Sequence, residues 1–93
     1  MIHKMFSIYD SAVAAYMRPF MCTADGEAVR QFGDIALDKD HPIGKHPEDY
    51  ALFYLGKFDD NAGRFEASDP VCVARAHELV SSGVMEFGKI KEA

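Results

Sequence analysis

Side chains able to bind metals or transfer protons are concentrated between residues 41 and 49. This segment holds two histidines and two carboxylates, namely His41, His46, Glu48 and Asp49. Imidazole and carboxylate groups are common zinc ligands, but their spacing matches no zinc pattern and neither cysteine lies nearby. We therefore predict a loop that fixes the start of the following strand, with no bound metal or other cofactor. The alternative of a metal-binding protein or a small enzyme depends on this segment alone.

No other segment matches a complete catalytic or metal-binding motif. Asp59, Asp60 and Asn61 begin as a calcium loop does, but the twelfth position, where an EF-hand has its bidentate Glu, is Pro70. Cys22 has no local signature of a nucleophile. The glycines are scattered singly, so they form no phosphate-binding loop. We predict that the protein is not an enzyme.

The length of 93 residues indicates one domain, residues 1–93. A domain this small buries only about 60–65% of the surface of its unfolded chain, so we expect a homodimer. No apolar run is long enough to cross a membrane, and the first residues lack the pattern of a signal peptide, which favours the cytoplasm. Without a secretory signal, Cys22 and Cys72 are predicted to be buried thiols rather than a disulfide.

The net charge of −5, with no basic run, limits the partners of the chain. Proteins that bind nucleic acid regardless of its sequence usually gain affinity from a basic surface. Binding here would need a local groove of Arg and Lys on an acidic body. The charge thus excludes a general nucleic-acid coat and leaves a local site or a protein partner.

Hydrophobic periodicity and turn residues divide the chain into strands and helices. Strands are predicted over residues 2–9, 16–22, 50–58 and 64–67, a helix over 25–37 and a loop over 38–49. A second helix start is predicted with Asp69 as the N-cap and Pro70 as the first helical residue. Gly63 suits a positive φ in the hairpin turn, and Gly56 indicates a bulge or a close backbone approach. For residues 84–93 a last strand, a swapped arm and a frayed end all remain open.

The order ββαββα predicts an α+β fold. We expect an antiparallel sheet of about four strands with both helices packed on one face. The other face would then expose Tyr, Phe and charged side chains to solvent or to a partner.

Aromatic residues are frequent on the predicted strands: Tyr16, Phe20, Tyr50, Phe53, Tyr54 and Phe58. Aromatic rings beside Arg and Lys are typical of proteins that hold single-stranded nucleic acid. Basic residues lie on the same strands or in adjacent segments: Arg18, Arg30, Lys45, Lys57 and Arg64. Strand aromatics also form core and cross-strand pairs, so the two interpretations stay open at this point.

Several short segments, in a fixed order over residues 6–66, resemble a known family. They are Ser7-Ile8-Tyr9-Asp10, Arg18-Pro19-Phe20, Asp25-Gly26 with Ala28, Arg30 and Phe32, His46-Pro47-Glu48-Asp49-Tyr50, and Leu52, Gly56, Phe58-Asp59 and Gly63. In these the chain resembles the small non-structural protein of gokushovirus-type microviruses, which are single-stranded DNA phages. The resemblance implies a phage accessory protein, absent from the virion, with a role in DNA binding or in the switch to single-stranded genome synthesis. It implies no active site.

Together these observations predict a non-enzymatic protein that binds single-stranded DNA as a homo-oligomer and assists synthesis of the phage genome in the host cytoplasm. The predicted contact residues are Arg18, Phe20, Arg30, Lys45, Tyr54, Lys57 and Arg64. The alternative is a protein-interaction module that binds the phage replication initiator or a host replication factor. The acidic charge favours this alternative.

Overall fold

The computed structural model describes residues 1–82, which form one five-stranded antiparallel sheet and three helices. The elements are β1 (Ile2–Asp10), β2 (Ala15–Tyr16), β3 (Phe20–Cys22), α1 (Asp25–Ala36), α2 (Pro42–Lys45), a 3₁₀ turn (Pro47–Asp49), β4 (Tyr50–Asp59), β5 (Arg64–Arg75) and α3 (Ala76–Ser82). The predicted α+β class is confirmed. The predicted tail, residues 84–93, lies outside the described residues. No helix among the described residues is long and apolar enough to cross a membrane.

The two long central strands, β1 and β4, organise the sheet. Its order is β2-β1-β4-β5, and β3 pairs with the same side of β1 as β2 does. The hairpin of β4 and β5 is confirmed, with Gly63 in the turn at a φ of 67°. Phe6 lies opposite Tyr54, and Ile8 lies opposite Leu52.

One face of this sheet carries the core. Apolar side chains of β1, β3 and β4 pack against all three helices there: Phe6, Ile8, Cys22, Leu52, Ala28, Phe32, Ala36, Ile43, Ala76 and Leu79. Phe6 and Leu52 are fully buried. Burial of such a side chain contributes about 1.5–3 kcal/mol. The prediction that the helices cover a single face is therefore confirmed, and within residues 1–82 the opposite face carries no helix.

The predicted second strand is divided in two. β2 and β3 both pair with β1, and Met17, Arg18 and Pro19 leave the ladder between them. Proline has no N–H to donate to a ladder, so the strand cannot run through Pro19. The connection is held instead by the Met17 N–H, which donates to the Ile8 carbonyl at 2.8 Å.

The predicted helix start at Asp69 is wrong, because β5 continues to Arg75 and the helix begins at Ala76. β4 is ten residues long and offers ladder partners as far as Ala51, which pairs with Arg75. This pairing outweighs the local signal of Asp69 and Pro70. Pro70 falls where the register shifts between Tyr54 and Gly56, a place in a sheet edge that tolerates proline.

α1 agrees with the predicted helix to within one residue, whereas the following loop differs from expectation. The N-cap of α1 is Ala24, whose side chain does not cap the helix. Glu27 of the first turn reaches back instead and accepts the Thr23 N–H at 3.0 Å. The predicted loop over residues 38–49 contains α2 and the 3₁₀ turn, and it buries Ile43.

Candidate nucleic-acid interface

Two of the predicted contact residues, Phe20 and Tyr54, lie on the core side of the sheet. Phe20 stacks on Phe6 with ring centroids 6.1 Å apart, and Tyr54 meets Phe6 edge-on at 5.7 Å. Lys4 places its Nζ 5.9 Å from the Tyr54 ring. Both rings are half-buried. These contacts give Phe20 and Tyr54 a packing role on the covered face.

The five predicted basic residues are all exposed but lie in five separate segments. They are Arg18 between β2 and β3, Arg30 on α1, Lys45 at the end of α2, Lys57 on β4 and Arg64 at the start of β5. Arg30 borders a shallow pocket with Gly26, Glu27 and Gln31. Lys57 lies 3.6 Å from Glu66 on the neighbouring strand.

A different set of rings lies on the opposite face of the sheet. We call this face, which no helix of residues 1–82 covers, the uncovered face. Side chains alternate between the two faces of a strand, so Tyr9 and Phe53 point away from the core filled by Ile8 and Leu52. Tyr9 lies 4.8 Å from Tyr16 and 6.0 Å from Phe53, and Tyr16 lies 5.7 Å from Phe53. We call Tyr9, Tyr16 and Phe53 the three-ring cluster. Tyr16 is 43% exposed, so the cluster presents aromatic surface to solvent.

Ser7 fixes one side of the three-ring cluster. It lies on the uncovered face of β1, yet it is fully buried. Its hydroxyl donates to the Met17 carbonyl at 2.6 Å. This bond holds the connection between β2 and β3 over the sheet, directly after Tyr16. The strand periodicity of the sequence does not reveal this hydrogen bond, because the bond depends on where the connection between β2 and β3 folds.

A pocket of about 180 Å³ continues the uncovered face beyond the three-ring cluster. Tyr9 and Phe53 form its aromatic wall. Polar groups contributed by the neighbouring segments complete the lining: Ser11, Glu48, Asp49, Tyr50, Arg75 and His77. None of these residues was predicted to bind a ligand through such a pocket, since it forms only where the ends of β1 and β5 meet the start of β4.

Hydrogen bonds from Ser11, the residue after β1, to the 3₁₀ turn shape this pocket. The Ser11 N–H and hydroxyl both donate to the Asp49 carbonyl, at 2.8 and 3.1 Å. Burial raises the pKa of Tyr50, and the carboxylate of Asp10 raises it further by repulsion and by a hydrogen bond. Both effects favour the protonated Tyr50 hydroxyl. The prediction that this segment fixes the start of the strand agrees with these contacts.

The histidine segment separates into two parts. His41 caps α2, because its Nδ1 accepts the Ile43 N–H at 3.1 Å. His46, Glu48 and Asp49 bring one ligand atom each within 4.8 Å of one another. His46 and Glu48 are exposed, where water competes for a cation. The arrangement by itself does not make a metal site.

The two cysteines have different environments, although both are free thiols. Cys22 is buried as predicted, and burial together with the nearby charge of Glu27 raises its pKa. This disfavours the thiolate that a nucleophile needs. Cys72 is exposed on β5, so the prediction that it is buried is wrong. Within residues 1–82, β5 is an outer strand that pairs with β4 alone.

Comparison with known proteins establishes the class to which this fold and surface belong. Residues 3–79 match the family model described as phage ORF5 protein. The chain belongs to this phage family, and the predicted resemblance is confirmed. It is 34% identical over 68 residues to protein ORF5 of Chlamydia phage 1, an alignment that covers 69% of this chain and 71% of the relative. No solved structure matches the chain.

Proposed function

We propose that this protein is a non-enzymatic phage accessory protein that binds single-stranded DNA during genome synthesis in the host cytoplasm. The observation that carries the proposal is the three-ring cluster on the uncovered sheet face. Stacking of a base on such rings is worth about 1–3 kcal/mol and tolerates any base sequence. In this proposal Tyr9, Tyr16 and Phe53 take the stacking role that the sequence suggested for Phe20 and Tyr54.

Basic residues near the three-ring cluster would contact the phosphates. Arg18 is exposed and follows Tyr16 by two residues, and Arg75 borders the adjacent pocket. With few such contacts and a net charge of −5, we expect weak binding, in the range of about 1–100 μM. Arg30, Lys45, Lys57 and Arg64 remain predicted contacts for a longer DNA strand.

Fluorescence anisotropy of a labelled single-stranded oligonucleotide at two salt concentrations tests this proposal. We expect affinity that falls as salt rises and at least a fivefold loss in Tyr16→Ala, because one stacking partner is removed. Leu37→Ala is the matched control, since Leu37 is an apolar side chain with 39% exposure at the end of α1. Absence of salt-sensitive binding at 100 μM protein would contradict the proposal.

The acidic charge and the apolar character of the uncovered face favour a second candidate, a protein-interaction module. Met21 and Phe65 are 49% and 48% exposed. The partner would be the phage replication initiator or a host replication factor. Affinity purification from infected cells, with and without nuclease, separates the two candidates. A partner that is retained after nuclease treatment supports this module, and one released by nuclease supports DNA binding.

A further inference from the structure

The pocket beside the three-ring cluster has the chemistry of a site for one nucleobase. Tyr9 and Phe53 supply an aromatic wall that continues the stacking surface, and the volume of about 180 Å³ admits a single ring system rather than a base pair. Bases of a single strand can leave the stack and insert between aromatic side chains. The pocket therefore lies where a base next to the stacked ones would arrive.

Its polar wall favours ligands that donate hydrogen bonds. Glu48 and Asp49 both line the pocket, and neither carboxylate forms an ion pair or a side-chain hydrogen bond within residues 1–82. An ionised carboxylate only accepts hydrogen bonds. A phosphate inside the pocket would be repelled, whereas a neutral base with N–H groups can donate hydrogen bonds to these carboxylates in place of water.

The four bases differ in the donors that they can offer to a carboxylate. Guanine carries N1–H and the N2 amino group side by side, so it can donate to both oxygens of one carboxylate. Thymine has a single N–H between two carbonyl oxygens, which would face the carboxylates with like partial charge. Good bidentate contacts of this type discriminate between bases by about 1–3 kcal/mol, which is roughly 5- to 150-fold.

Arg75 lies at the side of the same pocket. It is exposed, it pairs across the strands with Ala51, and it has no ion-pair partner within the described part of the chain. A guanidinium in this position can bind the phosphate attached to an inserted base, while the base itself reaches the carboxylates. Its contribution would be the same for every base.

We propose that this pocket binds one unstacked nucleobase of single-stranded DNA and prefers guanine, through the carboxylates of Glu48 and Asp49. The inference rests on the proposed function, because it assigns a specific base contact to the same DNA-binding face. It gives an otherwise sequence-independent surface a preference at one position.

The test compares two nine-nucleotide probes, one of thymines alone and one with guanine at the central position, by fluorescence anisotropy. The wild type should bind the guanine probe at least fivefold more tightly. Glu48→Gln and Asp49→Asn should each reduce this ratio, while Arg75→Gln should weaken both probes and leave the ratio unchanged. Asp40→Asn is the control, since Asp40 is an exposed carboxylate that does not line the pocket.

Circular dichroism establishes whether each variant is folded. If Glu48→Gln is not folded, the result with Asp49→Asn decides the outcome. Equal affinity of the wild type for the two probes would overturn the base preference while leaving DNA binding intact. A guanine preference that persists in both carboxylate variants would overturn the assignment to this pocket. Absence of binding to either probe would overturn both the inference and the proposed function.

Discussion

Gly56 is the residue at which the sheet leaves least room for a side chain. Its φ is 148°, and a Cβ there would collide with the Glu66 carbonyl of the neighbouring strand. The register of β1 against β4 shifts at the same point, between Met5 and Phe6. A bulge and a close backbone approach both occur at Gly56, and the prediction for this residue is confirmed.

Gly56→Ala should lower the free energy of unfolding by about 1–3 kcal/mol, because it combines an unfavourable φ with a backbone collision. Gly26→Ala provides the matched comparison, since a Cβ at Gly26 has no atom within 4 Å. Gly26 lies in α1, where alanine is favoured over glycine by up to about 1 kcal/mol. Urea denaturation measures both, and equal effects of the two substitutions would contradict the account of Gly56.

The cysteines allow a second test at this scale. In the native protein only the exposed Cys72 should react with a thiol reagent at pH 8, because Cys22 is buried and its pKa is raised. We expect one modified thiol per chain in the folded state and two in guanidinium chloride, measured by mass spectrometry. Cys72→Ser should abolish the native reaction. Rapid labelling of Cys22 would show that the β3 edge is more open than the structure indicates.

The sequence indicates that aromatic residues of the strands could form the proposed site, but it does not show on which face of the sheet each ring lies. Phe53 and Tyr54 are adjacent, and period-two alternation places one on each face without saying which is covered. The choice depends on the irregularity around Leu55 and on which face the helices occupy, and both arise from tertiary packing. The sequence therefore predicts Phe20 and Tyr54 as contacts, whereas Tyr16 and Phe53 are the rings on the uncovered face.

At the level of elements, the connection between β2 and β3 determines whether the three-ring cluster exists. Tyr16 belongs to a two-residue strand, which has little stability of its own. The Ser7 hydroxyl bond to the Met17 carbonyl supplies the missing restraint.

Ser7→Ala should therefore lower the free energy of unfolding by about 1 kcal/mol, since it leaves the Met17 carbonyl without its buried donor. It should also increase hydrogen exchange of the amides around Met17 and weaken DNA binding, although Ser7 itself would not touch DNA. Ser68→Ala, at an exposed position of β5, is the control. Unchanged exchange around Met17 in the Ser7 variant would contradict this role.

The second helix shows why an element can be misplaced even when its signals are present. Asp69 and Pro70 form a strong local helix start, but Val71 and Val73 favour a strand, and β4 offers them a ladder partner. Local capping is worth about 1 kcal/mol, whereas pairing and packing along five residues yield more. Such competition cannot be resolved without knowing the length of the partner strand.

The two register shifts in β5 also bear on how the molecule meets its partners. They lie between Leu52 and Phe53 and between Tyr54 and Gly56 of β4, and Pro70 falls in the second. Bulges and proline protect an outer strand from pairing with another chain. The uncovered face, rather than the β5 edge, is therefore the surface that we expect partners to use.

For the whole molecule, the small core favours association. We predict a homodimer, with a mass twice the 10.3 kDa of the chain, because a second copy would bury apolar side chains that one copy leaves exposed. Light scattering coupled to size-exclusion chromatography at several concentrations measures this. A mass of one chain at 100 μM protein would contradict the prediction without affecting the proposed DNA contacts.

The class of fold and the family could both be predicted from the sequence, because they depend on hydrophobic periodicity and on short segments in a fixed order. The proposed binding surface could not, since it combines residues from β1, β2, β4 and β5 that are up to 66 positions apart, as Tyr9 and Arg75 are.

Mapping of the DNA contact by NMR tests the central claim most directly. Addition of a single-stranded oligonucleotide to the labelled protein should shift the amide and ring signals of Tyr9, Tyr16 and Phe53. With an oligonucleotide too short to reach Arg30 and Lys45 as well, residues on the helical layer such as Phe32 and Leu37 should shift little. Shifts confined to the helical layer, or none at 100 μM protein, would contradict the claim that the uncovered sheet face binds single-stranded DNA.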